Sequence, residues 1–344
     1  MVYDIISMSV LSVVGILGNM VVIFAIAGDK MMRKSVMNIL LMNLAIADLS
    51  NLIFTVPEWT SITLNNGGWI LPTFMCPVSR YLEIVFLFTS ISTQLIVCIE
   101  RYIAIVLPMQ ARHLCSRRNA VVTIFFAWIF SAGFAIPYAV LHYMKGETCT
   151  TYPRSWWDNY KIVEFLLFYL IPCVCIIGVY TKVATVLWAK DPTLNNEVRQ
   201  RLDNSNTTNR NSDALRTRRN VVKMLIACVA VYFICYSPIQ FLFISKTVFG
   251  YNIKPGSNFT FISNVLAMTC SASNPLLYTL FSTKFRRRLR DVIYCQSSGS
   301  RQKQKELLIK NYVSINNTTI TATRIQARFL YDESEDKICL QRFE

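Results

Sequence analysis

The chain has 344 residues, of which 53% are hydrophobic and only 16% charged, and its mean hydropathy is +0.38. That balance excludes a disordered chain and points to a membrane protein. The net charge of +15 would suit nucleic acid, but the basic residues flank apolar runs and form no separate basic domain, so no nucleic-acid partner is expected.

Apolar runs long enough to cross a bilayer lie at about 4–28, 37–59, 78–107, 120–141, 160–188, 220–245 and 257–281. The first follows Met1–Asp4 at once, so no cleavable signal peptide is expected and little projects ahead of it. Lys30, Arg33 and Lys34 follow the first span, and Arg112, Arg117 and Arg118 follow the third. The loop at 190–219 is rich in Arg, and Lys284, Arg286, Arg287, Arg288 and Arg290 follow the seventh span. The alternate set of loops is poorer in Lys and Arg. The basic set should therefore be cytoplasmic, with the N-terminus extracellular and the C-terminus inside. The expectation is an all-α membrane protein, a seven-helix bundle over 1–295, with 296–344 a disordered cytoplasmic tail. The basic amphipathic stretch from Phe281 to Tyr294 reads as a short eighth helix on the inner membrane surface. Cys295 after it reads equally as a palmitoylation site or a free thiol.

Polar residues inside the spans carry the functional signal, because ionisable groups at membrane depth are costly. Arg101 lies 25 residues after Cys76, a helical rise of roughly 37 Å, about one bilayer with its interfaces. In the same helix Glu83, Ser90, Gln94 and Arg101 are spaced 7, 4 and 7 apart and share one face. Asp48 is a lone carboxylate in the second span. Asn264, Ser271 and Tyr278 repeat every seven residues in the last, which Asn274 and Pro275 interrupt. Asn19, Asp48, Ser90, Ser271 and Asn274 read either as a buried hydrogen-bonded network or as a small-cation site. Cys76 and Cys149 both fall on the outer side, where a disulfide is expected, with two free thiols as the alternative. The other cysteines in the spans read as small buried hydrophobes.

Several motifs stand in order and in register: Gly18-Asn19, Asn43 to Asp48, Trp69 before Cys76, Glu100-Arg101-Tyr102 with Pro108, and Trp128. Pro172 with Tyr180, Cys235-Tyr236-Ser237-Pro238 and Asn274-Pro275-Leu276-Leu277-Tyr278 complete the series. Over about 18–295 the chain resembles the rhodopsin-like (class A) G-protein-coupled receptors. The resemblance implies a switch in which Glu100 holds Arg101 at rest. Activation swings the sixth helix out and brings Arg101 to Tyr180 and Tyr278. It also implies that Tyr102, Asn274 and Pro275 belong to the switch and that Met109 enters a pocket of the G protein. The chain departs from the family at Tyr236, often tryptophan, and at Tyr232, often phenylalanine. Arg218 stands where some members have an acid, so a resting lock should rely on Glu100. Phe86 and Cys270 replace polar residues of the family's sodium site. Met268 stands where visual pigments carry the retinal lysine, which excludes retinal attachment.

Glu58, Glu83 and Glu164 lie in the outer halves of three helices, and if all face inward they make an acidic pocket. The alternative is that some pair with Arg80 or Lys161. Tyr236, Gln240 and Phe243 share a face of the sixth helix, and Asn264 of the seventh is counted with them as a ligand-binding residue. Acid, amide and aromatics suit a cationic, amidated peptide end. Met224-Leu225-Ile226 and Val248-Phe249-Gly250, with the sixth-helix motif, resemble the orexin, cholecystokinin and growth-hormone-secretagogue receptor group. The expected function is a neuropeptide receptor in the plasma membrane, coupled to heterotrimeric G proteins. The alternatives are a receptor of the same fold for a non-peptide ligand, and a transporter or membrane enzyme. Against an enzyme, His113 and His142 lie at opposite faces and no hydrolase or metalloprotease motif is present. No cofactor and no metal are expected.

Overall fold

In the computed structural model, residues 2–65, 68–188, 207–250, 258–281, 285–287, 290, 329–332 and 337–340 are described. The spanning helices are α1 (Val2–Ala27), α2 (Val36–Leu64), α3 (Met75–Val106) and α5 (Arg117–Leu141). The fifth span is compound: α6 (Trp157–Phe165), a π-helical turn (Leu166–Leu170) and α7 (Ile171–Trp188). The last two are α8 (Thr207–Phe249) and α9 (Asn258–Phe281). Among the described residues six spans are long and apolar enough to cross a membrane. The remaining helix, α9, has a comparable length of 24 residues but carries Asn264, Ser271, Ser273 and Asn274. It packs on α1 and α8 and closes a seven-helix bundle.

Short elements join the spans. Helix α4 (Pro108–Leu114) opens with proline at a position that needs no N–H, and Ser116 caps α5 by accepting from the Asn119 N–H at 3.2 Å. Between α5 and α6 lies an antiparallel hairpin of β1 (His142–Lys145) and β2 (Thr148–Thr151), with Met144 opposite Cys149. Gly146, at φ +60°, makes its turn. A second hairpin, β3 (Phe329–Asp332) with β4 (Lys337–Leu340), lies in the tail. Residues 285–287 and 290 are helical. The rest of the expected eighth helix, Cys295 and most of the tail lie outside the described residues.

The interior is mostly apolar, but the outer surface is apolar too, and several polar residues lie inside. Phe125, Phe126, Ile129, Ile177 and Leu280 are exposed, while Asn19, Asp48, Ser90, Gln94 and Asn274 are buried. Apolar side chains meet lipid, and polar ones must be satisfied within the bundle. Helix α3 is the axial member, touching α2, α5, α7 and α8.

Two prolines show how that satisfaction is achieved. A proline cannot donate to the carbonyl four residues earlier. Pro275 thus frees the Ser271 carbonyl, and Asn19 Nδ2 on α1 donates to it at 3.1 Å. The close approach depends on small residues. A Cβ on Gly15 would come within 2.6 Å of Leu52, and one on Gly18 within 3.0 Å of Pro275. Pro172 likewise frees the Phe168 carbonyl beside the π turn, and Tyr232 Oη on α8 donates to it at 2.7 Å. Tyr232 stands where phenylalanine would have been expected, and its hydroxyl has this specific partner. Asn43 joins α2 to α3 through Thr93 at 2.8 Å, and Trp128 Nε1 on α5 donates to Asn43 at 3.0 Å.

Tyr232→Phe should lower the stability of the purified receptor by about 1 kcal/mol, because it orphans a buried carbonyl. A melting temperature equal to that of the wild type would show that the carbonyl finds another donor.

Candidate functional site

At the disulfide end the bundle opens into a cavity of about 370 Å³. This is at the lower end of the roughly 300–1,000 Å³ typical of ligand pockets. The Cys76–Cys149 disulfide ties its hairpin rim to the start of α3. The loop before α3 also joins the hairpin, through Trp69 N donating to Glu147 O at 2.6 Å.

The acidic residues are brought to this end but are not left alone. Glu58 is fully buried, paired with Arg80 at 2.5 Å and accepting from Ser79 Oγ at 2.9 Å. It stands behind Arg80 and does not line the cavity, so the expectation that it faces a ligand is corrected. Pro57 does not turn it into the cavity. Glu83 does line the cavity. It shares Arg80 at the longer distance of 3.4 Å and hydrogen-bonds Trp59. Glu164 lines the cavity but is paired with Lys161 at 2.8 Å and accepts from Tyr138 Oη at 2.7 Å. Counting Glu58 and the exposed rim residue Asp158, four carboxylates face three cations, Arg80, Lys161 and Lys246. The cavity is therefore charge-patterned rather than broadly acidic. The i, i+3 spacings of Arg80 with Glu83 and Lys161 with Glu164 were the signal in the sequence.

Tyr236, Gln240, Phe243 and Asn264 all line the cavity, as their helical spacing implied. Asn264 is buried, and its Nδ2 has no hydrogen-bond partner among the described residues. That leaves one open donor in the cavity that the half-buried Glu83 also lines. Residues that the motif reading missed complete the wall: Trp59, Tyr138, His142 and Trp157. His142 Nδ1 lies 2.9 Å from the Tyr138 carbonyl, which fixes the proton on Nδ1. Nε2 then accepts from Thr151 Oγ1 at 3.2 Å. Burial, with Arg80 and Lys161 nearby, lowers the His142 pKa from 6.5 to about 4, so the ring is neutral.

Below the cavity, Ser271 belongs both to its floor and to a polar cluster. Asp48 Oδ1 accepts from Ser90 at 2.8 Å and Ser271 at 3.2 Å, and Oδ2 accepts from Asn274 at 2.6 Å. Asn274 serves the carboxylate, and the carbonyl freed by Pro275 is served by Asn19.

At the opposite end Glu100 and Arg101 form a two-point ion pair, with Arg101 Nη2 2.6 Å from Glu100 Oε1 and Nε on Oε2. Tyr180 Oη accepts from Cys98 Sγ at 3.2 Å. Tyr278 is fully buried, and its hydroxyl has no partner among the described residues. Tyr102 is half-buried, and Met109 projects from α4, 77% exposed. The side chain of Arg218 is outside the described residues.

Residues 18–278 match the 7 transmembrane receptor (rhodopsin family) pattern. The chain belongs to the rhodopsin family of seven-transmembrane receptors. It is a multi-pass plasma-membrane protein of a receptor family, not an enzyme. It is 60% identical over 334 residues to neuropeptide receptor 15 of Caenorhabditis elegans, an alignment covering 92% of this chain and 95% of that one. The allatostatin-A receptor of Bombyx mori is 28% identical over 299 residues, 83% of this chain and 78% of its own. The QRFP-like peptide receptor of Branchiostoma floridae is 25% identical over 299 residues, 82% and 74% of the two chains. These relatives do not carry the finer resemblance to the orexin, cholecystokinin and growth-hormone-secretagogue group.

The unfolded chain takes up the His142 proton near pH 6.5, whereas the folded protein does so only near 4. Stability from the neutral ring is complete above 6.5 and is lost as pH falls toward 4. His142→Asn should flatten the fall in melting temperature across that window. An unchanged slope would show that the ring is not held neutral.

Proposed function

We propose that this chain is a neuropeptide receptor that binds the end of a cationic, amidated peptide in the disulfide-end cavity and drives heterotrimeric G proteins at the Arg101 end. The disulfide end and the N-terminus are extracellular and the C-terminus is cytoplasmic. Supporting this orientation, Lys and Arg crowd the loops at the Arg101 end, and disulfides belong to oxidising compartments.

The observation that carries the reading is Glu83. It lines the cavity, it has only a longer-range share of Arg80, and the open Asn264 amide and the aromatic ring of Tyr236 line the same cavity. A ligand guanidinium or ammonium would meet Glu83, while a terminal amide carbonyl would meet Asn264 or Gln240. The names of the relatives, peptide receptors from three animal groups, support a peptide as the ligand. At the other end, the Glu100–Arg101 pair is the resting lock. Opening it releases Arg101 toward Tyr180 and the Tyr278 hydroxyl, and Met109 on its exposed helix contacts the G protein. The Asp48 cluster links the two ends. We read it as packing machinery, because its oxygens are already served by protein donors.

A calcium and cAMP screen with amidated peptides should return a potent agonist carrying Arg or Lys near its C-terminus. Only non-peptide agonists would refute the peptide reading. Arg101→Ala should abolish agonist-driven signalling with the receptor still at the cell surface, and signalling that persists would remove Arg101 from the switch. Glu83→Gln should weaken the cationic peptide by about tenfold or more, the scale of one charge-assisted hydrogen bond, and its neutralised analogue far less. Equal losses for both peptides would rule out direct charge contact.

A further inference from the structure

Lysine is almost never fully buried unless paired, yet Lys161 is 7% exposed. Its ammonium donates to Glu164 Oε1 and Oε2 at 2.8 and 3.0 Å and to Tyr138 Oη at 2.5 Å. Nζ also lies 4.0 Å from the centroid of the Phe243 ring, 5.1 Å from Tyr138 and 5.8 Å from Trp157. A carboxylate, a hydroxyl and three rings around one nitrogen are the chemistry by which proteins recognise ammonium ligands. The walls come from three spans: Tyr138 from α5, Trp157 and Glu164 from α6, and Phe243 from α8. All five side chains, Lys161 included, line the ligand cavity. Stability alone gives little reason for such a group, because replacing a buried ion pair by apolar residues is often neutral or favourable.

We propose that this box is a second cation subsite of the cavity, occupied by the receptor's own Lys161, and that it restricts the receptor to ligands bringing a single cation. The inference rests on reading the cavity as the ligand site. Glu164 and the rings are already satisfied, so a ligand cation gains nothing there and is repelled by the Lys161 ammonium. Glu83 takes the one cation. The ligand group that faces Phe243 and Lys161 is uncharged. The specificity thus comes from a repulsive element as much as from an attractive one.

Lys161→Ala removes a segment with the size and charge of propylammonium, so the probe is propylammonium chloride on the purified full-length receptor. Propylammonium should raise the melting temperature of Lys161→Ala in a dose-dependent way. Neither 1-propanol nor matched sodium chloride should do so. The wild type and the Lys161→Ala, Glu164→Gln double variant should not respond. No shift beyond that of propanol, or an equal shift in the wild type, would overturn the subsite. Should Lys161→Ala fail to reach the cell surface, propylammonium in the growth medium should restore its surface count and propanol should not; no restoration would overturn the subsite as well. In the amidated-peptide screen, Lys161→Ala should improve the potency of dicationic over monocationic peptides by about tenfold relative to wild type. An unchanged ratio would refute the selection. Propylammonium rescue with a screen that yields only non-peptide agonists keeps the subsite and removes the peptide reading. A peptide agonist without rescue removes the subsite alone.

Discussion

The bundle turns on the need to satisfy every polar group inside an apolar solvent, and Asp48 is where that need is greatest. One carboxylate on α2 accepts from Ser90 on α3 and from Ser271 and Asn274 on α9. Asn19 adds α1 by donating to the carbonyl of the same Ser271. Four helices are thereby held in one register. The arrangement depends on Pro275, because without it the Ser271 carbonyl would be engaged within its own helix. It also depends on Gly15 and Gly18, which let α1 come close enough for Asn19 to reach.

The fifth and sixth spans use the same solution. Pro172 opens the helix ladder, and Tyr232 closes the gap from α8. The link joins the two spans whose outer residues, Lys161 and Phe243, meet in the cavity wall. The walls of the cavity and the mid-membrane contacts are therefore one connected assembly. A ligand that displaces Phe243 or engages Tyr236 acts on the same helix that carries Tyr232, one turn further in. In the proposed reading, occupancy of the cavity biases the packing around Tyr232 through this helix.

Charge is distributed unevenly along the bundle axis. At the disulfide end the acids are largely neutralised by neighbours, Glu58 by Arg80 and Glu164 by Lys161, and Glu83 keeps the weakest claim on a cation. At the other end Arg101 is held by the residue next to it in sequence. Each end thus contains an ion pair within one helix, Glu83 with Arg80 at one and Glu100 with Arg101 at the other. The centre contains the Asp48 carboxylate, which accepts from Ser90, Ser271 and Asn274.

The helical spans, the polar stripe of α3 and the ordered motifs were legible in the sequence, because a bilayer imposes length and hydropathy on every span and helical periodicity assigns faces. Glu83 could be assigned to the interior on that ground alone, and so could Ser90 and the repeat on α9. The pairing of Glu58 with Arg80 could not, nor could the cage around Lys161. These contacts join residues of different helices, and their geometry depends on helix rotation, on the kink at each proline and on the π turn in the fifth span, none of which a one-dimensional pattern specifies. The sequence by itself determined that this is a seven-helix membrane receptor with an adjacent glutamate and arginine at one end and titratable groups at the other. Only the tertiary structure decided which acid has the most distant cation partner, because that depends on how the helices bring Arg80 and Lys161 to the carboxylates.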